Sequence, residues 1–146
     1  ESDLLYWAVR GHGAFKEANG ESRPISAIHH EHDQPDSLVV AISRRQKLEN
    51  LTRRLNPAIN YELIPLGSSS LKSCLVAEGA ADCYVRLGPT GEWDTAAAQC
   101  IVEAAGGRIL SLALQPLSYN ETESLENPDF IVMGDPDLAW GKILTH

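Results

Sequence analysis

Leu38-Val39-Val40-Ala41-Ile42-Ser43 is the stretch that most limits what this chain can fold into. A strand with one face in water alternates apolar and polar residues. An unbroken apolar run of strand length has to be covered on both faces. Such a strand sits inside a sheet with layers above and below, and the residues after it supply those layers. Gln46 to Leu55 reads as a helix with Leu48, Leu51 and Leu55 on one side, and Tyr61-Glu62-Leu63-Ile64-Pro65 as a short strand. Ser68-Ser69-Ser70 caps a second helix that carries Leu71, Cys74, Leu75 and Glu78 and closes at Gly79. Asp82 to Val85 is a strand, Thr95 to Ala105 a helix ended by Gly106-Gly107, and Arg108 to Leu112 a strand. Gln115 to Asp129 is a polar loop, Phe130 to Met133 a strand, and Asp137 to Leu144 a final short helix. Strand and helix alternate, so the fold class is a layered α/β domain.

The first residues follow a different grammar. Leu4 to Arg10 is rich in strand formers, Gly11-His12-Gly13 breaks it, and Ala14-Phe15-Lys16 resumes. Asn19-Gly20 is a strong two-residue turn signal. These residues read as a β-hairpin with a third short strand ending near Ile25. A hairpin alone is marginal in water. The first 25 or so residues are therefore expected to pack weakly, with Trp7 and Phe15 exposing an apolar face. The polar stretch His29 to Asp36 reads as a linker or exposed crossover. Within it His29-His30-Glu31-His32-Asp33 holds five potential metal ligands in a row. They lack helical His-x-x-x-His spacing, and the run reads as a solvated loop.

Composition removes several function classes. The 146 residues suffice for one domain with its own core. A net charge of −8 argues against gripping nucleic acid through bulk charge. It leaves room for a small phosphorylated substrate, because metals supply positive charge locally. Cys74, Cys83 and Cys100 are odd in number, form no CxxC and sit among apolar residues, as reduced buried thiols of a cytoplasmic protein would. No apolar run is long enough to span a bilayer, and no signal pattern opens the chain. Peripheral membrane association and oligomeric state are left open. Met133 is the one methionine, and the chain starts Glu1-Ser2-Asp3, as a processed protein or a piece of a longer one would.

Three segments are suited to chemistry. Asp94 precedes a run of small residues at a helix start, where a carboxylate caps free N–H groups. The same carboxylate, beside Trp93, suits a hard cation such as Mg²⁺. Gly67-Ser68-Ser69-Ser70-Leu71-Lys72 is a small-residue turn entering a helix. It is either a serine cap with a solvated lysine or a phosphate cradle to which Lys72 adds charge. Arg86 lies at the carboxyl end of a strand, where α/β proteins place ligands, and is either a surface arginine or a phosphate fork. No nucleophile elbow, P-loop or dinucleotide fingerprint occurs.

Taken together, these segments resemble the C-terminal half of the inositol monophosphatase superfamily of Mg²⁺-dependent, lithium-sensitive phosphatases. Trp93-Asp94-Thr95-Ala96-Ala97 matches that family's Trp-Asp-x-Ala signature. The likeness is strongest to its bacterial 3′(2′),5′-bisphosphate nucleotidase branch, which acts in sulfate assimilation. It is carried by Gly67 to Lys72, Cys74-Leu75-Val76-Ala77-Glu78-Gly79, Arg86-Leu87-Gly88-Pro89-Thr90, Pro116-Leu117-Ser118-Tyr119 and Leu125 to Phe130, and runs from Trp7 to about Val132. The family's Asp-Pro-Leu/Ile-Asp-Gly-Thr signature and its upstream acidic segment, which supply most metal ligands, do not occur here. The resemblance implies that residues 1–28 end the N-terminal metal-binding domain and that 36–146 form the C-terminal α/β domain. The chain then lacks the N-terminal half of the same enzyme as its partner. It further implies Mg²⁺-assisted hydrolysis of 3′-phosphoadenosine 5′-phosphate to AMP and phosphate. Asp94 would bind a metal next to the substrate, and Ser69, Ser70, Lys72 and Arg86 would line the nucleotide side of the pocket. The competing expectations are an inositol- or sugar-phosphate phosphatase of the same superfamily, and a non-catalytic module binding a nucleotide or a partner.

Overall fold

The computed structural model describes residues 5–9, 11–32, 34–44, 48–67, 69–87, 90–117, 126–127 and 129–144. Strands β1 (Leu5–Val9), β2 (Gly13–Ala18) and β3 (Glu21–Ile25) form an antiparallel sheet in that order. Asn19 and Gly20 turn β2 into β3 with φ of 53° and 80°. Two successive left-handed residues match the twist of the strands they join, and Asn-Gly is the pair that tolerates this. Alternation places Tyr6, Ala8, Ala14 and Lys16 on one face and Leu5, Trp7, Val9 and Phe15 on the other.

The chain continues through β4 (Ser37–Ser43), α1 (Leu48–Thr52), β5 (Asn60–Leu66), α2 (Ser69–Ala77), β6 (Cys83–Arg86), β7 (Thr90–Gly91), α3 (Glu92–Ala104), β8 (Arg108–Ser111), β9 (Glu126–Asn127), β10 (Phe130–Met133) and α4 (Trp140–Ile143). A five-stranded sheet runs in the order β5-β4-β6-β10-β8, and β7 pairs with β9. Strands β5, β4 and β6 are parallel; β10 is antiparallel to both of its neighbours. The apolar run is β4, near the sheet's centre, with Leu38, Val40, Ala41 and Ile42 at most 5% exposed. One core lies on each face. Leu51, Leu55, Trp140 and Ile143, from and around α1 and α4, cover Val40, Val85 and Ile131. On the other face Val76, Ala77, Val102 and Ala105 cover Ala41, Tyr84 and Val132. The alanines let α2 and α3 lie close to both sheets, because Ala14 of β2 joins the same cluster from beyond the helices. Gly107 is required where β8 begins: a Cβ there would stand 2.5 Å from the Met133 carbonyl oxygen.

The first sheet packs better than expected on one face, and on the other Trp7 and Phe15 are half-buried rather than exposed. Ala14 is buried, the Tyr6 hydroxyl donates to Glu78 Oε1 at 2.7 Å, and Lys16 Nζ meets Glu78 Oε2 at 2.7 Å. Burial, reinforced by the Glu78 carboxylate, pushes the Tyr6 phenol above its ordinary value. On the outer face Trp7 and Phe15 stack with ring centroids 4.3 Å apart, and Leu5 and Val9 are exposed.

The stretch from His29 to Asp36 is mostly exposed, as expected of a crossover, but the chain is anchored where it enters. Ala27 N–H donates to the Ala105 carbonyl at 3.0 Å, and His30 N–H donates to Asp135 Oδ2 at 2.8 Å. His30 Nε2 lies 2.8 Å from Asp82 Oδ1, while Asp82 Oδ2 accepts the Val39 N–H at 2.7 Å. His29 Nδ1 is 3.6 Å from Asp135 Oδ1, and its ring lies against Gly106 just past the end of α3. Asp82 and Asp135 are both buried, so the histidines supply partners that water cannot. Among the described residues no three His, Cys, Asp or Glu groups are placed to share a metal ion.

Other boundaries shift for local reasons. Helix α1 ends at Thr52, because Arg54 N–H turns back to the Leu51 carbonyl and Leu55 pairs with Leu144. The last helix starts at Trp140 because the Asp135 carboxylate takes the Asp137 N–H at 3.0 Å, which makes a turn there. Helix α3 starts at Glu92 because β7 leads straight into it. The stretch expected as a polar loop contains β9. Cys74 and Cys83 are buried, and burial pushes the Cys74 thiol up to about 11 and Cys83 higher still. Cys100, expected buried, is exposed on α3 and lines a cleft of about 610 Å³ with Ala8, Gly11, Glu103 and Ala104. Asp33, Gln46, Ser68, the Gly88-Pro89 pair and residues 118–125 lie outside the described residues.

Candidate functional site

Strands β4, β5 and β6 run in one direction and finish together at Ser43, Leu66 and Arg86. Helix α2 carries the chain from the end of β5 to the start of β6, and α3 carries it from the end of β6 to the start of β8. Both helices therefore begin at the carboxyl end of the parallel strands. That end is where open α/β sheets collect ligands, with helix N–H groups directed at anions.

Lys72 is one turn into α2 and faces the sheet. It is 1% exposed, although a lysine is almost never fully buried without a partner. Its Nζ donates to the Leu66 carbonyl at 3.1 Å and stands 5.1 Å from the centroid of the Tyr84 ring. Burial, and after it the charge of Arg86, pulls the Lys72 pKa below its usual value. The reading of Lys72 as a solvated lysine is thus corrected: the helix face that packs on Tyr84 carries it inward. Arg86 shares the strand face of Tyr84, two residues before it. It is only partly exposed, and its Nε is buried with no hydrogen-bond partner among the described residues. An unsatisfied guanidinium donor costs free energy unless an acceptor arrives, and it sits within the electrostatic reach of a buried ammonium. Two cations therefore lie within electrostatic reach of each other here, one of them with an unsatisfied donor, the kind of group that pairs with an anion.

The structure brings Lys72 and Arg86 together. Ser69 and Ser70 are the first two residues of α2, less than one turn before Lys72. Asp94 is the third residue of α3, inside the first turn rather than the cap expected from the sequence. Acids there still meet the positive end of the helix dipole. Tyr84 was missed by sequence reasoning. Its signal was the two-residue spacing to Arg86, which puts both side chains on one face. A Mg²⁺ ion needs about six oxygen ligands. The Ser69, Ser70 and Asp94 side chains lie outside the described residues, and the described Lys72 and Arg86 are cations, so the described residues alone do not compose a magnesium site.

Fold and site together define an α/β domain with a buried lysine and a partly buried arginine at the carboxyl end of its parallel strands. The chain belongs to the inositol monophosphatase family, whose pattern matches residues 1–135. It is 41% identical over 138 residues to the 3′(2′),5′-bisphosphate nucleotidase CysQ of Aggregatibacter actinomycetemcomitans, an alignment covering 94% of this chain and 51% of that protein. It is 40% identical, with the same coverage, to the CysQ of Haemophilus influenzae. The crystal structure of CysQ from Bacteroides thetaiotaomicron superimposes with a TM-score of 0.75 and 37% identity, over 91% of this chain and 54% of that one. Mycobacterium tuberculosis SuhB shares the fold at a TM-score of 0.66 and 24% identity, over 92% of this chain and 49% of that one. The chain spans about half the length of the curated relatives it matches.

Proposed function

We propose that this protein is a phosphomonoesterase that hydrolyses 3′-phosphoadenosine 5′-phosphate to AMP and phosphate, in the cytoplasm. One observation carries the reading: the buried Lys72 ammonium beside the unpartnered Arg86 Nε, at the end of the sheet where α2 and α3 begin. A phosphate on the nucleotide satisfies both cations. Ser69 and Ser70 begin α2 and Asp94 stands in the first turn of α3, and on this reading the serines serve the phosphate and the carboxylate serves the metal beside it. Residues 1–28 belong on this reading to a metal-binding domain and 36–146 to the nucleotide-side domain. Asp94 is then one Mg²⁺ ligand among several, the others coming from the partner half of the same enzyme. The ion supplies charge neutralisation and an activated water. Similarity to enzymes named 3′(2′),5′-bisphosphate nucleotidase supports the choice of substrate.

The test is Mg²⁺-dependent phosphate release from 3′-phosphoadenosine 5′-phosphate, inositol 1-phosphate and fructose 1,6-bisphosphate. It is run on the intact gene product and on the 146-residue chain. The proposal expects the intact product to prefer the nucleotide and the chain alone to bind AMP without turnover. Preference for inositol 1-phosphate or fructose 1,6-bisphosphate would make it another phosphatase of the family. Binding without turnover in both preparations would make it a non-catalytic module.

A further inference from the structure

Tyr84 takes no part in the chemistry proposed above, yet it heads the fully buried side chains by volume and lies beneath the Lys72 ammonium. A buried ammonium needs compensation. Among the described residues it finds two supports: the Leu66 carbonyl, shared with the Arg44 N–H, and the Tyr84 ring face. An aromatic face carries negative potential and attracts a cation placed over it. The ring is held from several sides. Ala41 of β4 and Val132 of β10 are its partners in the neighbouring strands, and Phe130 meets it edge-on at 5.8 Å and 89°. Phe130 is also the cross-strand partner of Arg86, so one pair of strands fixes the platform and the second cation together.

We infer that Tyr84 is the positioning residue of the anion seat: its ring keeps the Lys72 ammonium charged and aligned beside Arg86, so that a phosphate meets two cations already in place. Among the described residues no carboxylate pairs with this cation, so none of them competes with the incoming phosphate. The inference rests on Lys72 and Arg86 being phosphate-binding groups, and is independent of which phosphate ester is hydrolysed.

The experiment is calorimetric binding of AMP to the 146-residue chain. Position 84 is varied as Tyr84→Phe and then as phenylalanines of rising ring fluorination, which keep the shape and drain the ring's negative face. Tyr84→Phe is expected within about 3-fold of the parent, and Tyr84→pentafluorophenylalanine weaker by about 2- to 30-fold, the range a cation–π contact covers. With Lys72→Met in place, fluorination is expected to change nothing further. If the pentafluoro variant does not fold, the monofluoro and trifluoro variants give the trend. AMP affinity indifferent to fluorination, or equally sensitive to it in the Lys72→Met background, overturns the role of Tyr84 alone. A parent chain that fails to bind AMP at millimolar concentration overturns the phosphate-site reading, and with it this inference.

Discussion

Replacing Lys72 by methionine should separate what the lysine does for binding from what it does for folding. Methionine is unbranched, of similar reach, and fills irregular gaps, so it can occupy the slot between α2 and β6. The folded parent holds the ammonium almost out of water with a pKa below the ordinary 10.5, first through burial and then through Arg86. Between that lowered value and 10.5 the unfolded chain binds more protons than the folded one, so this lysine makes stability rise with pH across that window. Lys72→Met removes that slope. It deletes one hydrogen bond to the Leu66 carbonyl, which keeps the Arg44 N–H at 3.2 Å, and relieves a desolvated charge beside Arg86. The melting temperature at pH 7 is therefore expected to stay level or rise. Binding should suffer, because a charge-assisted hydrogen bond to phosphate is worth about 1.5–3 kcal/mol, or roughly 10- to 150-fold in Kd. Parent affinity for AMP should also fall as pH climbs through the folded Lys72 value, and the variant should lack that dependence. Thermal melts at pH 7 and pH 10 with calorimetric titration of AMP check both halves. A melting temperature lower by more than about 4 °C with an unchanged Kd would show Lys72 to be a structural prop and refute the anion seat.

Three further outcomes are expected. In the intact enzyme Asp94→Asn should lower activity by orders of magnitude while the fold survives, since the neutral amide is a poor ligand for a hard cation yet tolerated at a helix start; near-normal rates and Mg²⁺ dependence would remove Asp94 from the site. Burial works to raise the Asp135 pKa, but the N–H groups of His30 and Asp137 and the neighbouring His29 outweigh it and hold the value below 3.8, so its stabilisation is present at neutral pH and lost as pH falls through the folded value. Urea denaturation of Asp135→Asn should thus show a loss of roughly 1–3 kcal/mol at pH 7 and a weaker acid dependence than the parent. Gly107→Ala should cost roughly 1–3 kcal/mol by the same assay, because a Cβ would stand 2.5 Å from the Met133 carbonyl oxygen; an unchanged midpoint would mean that β8 moves freely away from β10.

The parts of this fold that were legible in the sequence are those governed by local rules. The β4 run announced a doubly covered strand, Asn19-Gly20 a hairpin, and Gly79 and Gly106 the ends of α2 and α3, both with φ above 80°. What escaped were contacts between distant residues. Nothing local in His29-His30 says that Asp82 and Asp135 wait for them, 52 and 105 residues along. Composition reads a histidine-rich polar run as solvated, and most of it is, but two buried carboxylates tie down His29 and His30 at its start. Helix periodicity alone likewise cannot turn Lys72 inward. That follows from α2 resting on Tyr84, a residue of a different strand. The pairing of Glu126–Asn127 with Thr90–Gly91, and with it the early start of α3, is long-range in the same way.

The uneven burial of the three thiols makes the chain its own spectroscopic handle. Cys74 and Cys83 are sealed in the core with their thiolates suppressed, so a maleimide dye or nitroxide near neutral pH reacts at Cys100 without any engineering. The probe then sits on the helix whose first turn holds Asp94, in the cleft that faces Ala8 of the first sheet and Gly11 of the turn after β1. Its emission or line shape reports the spacing between that sheet and α3 as AMP is titrated in.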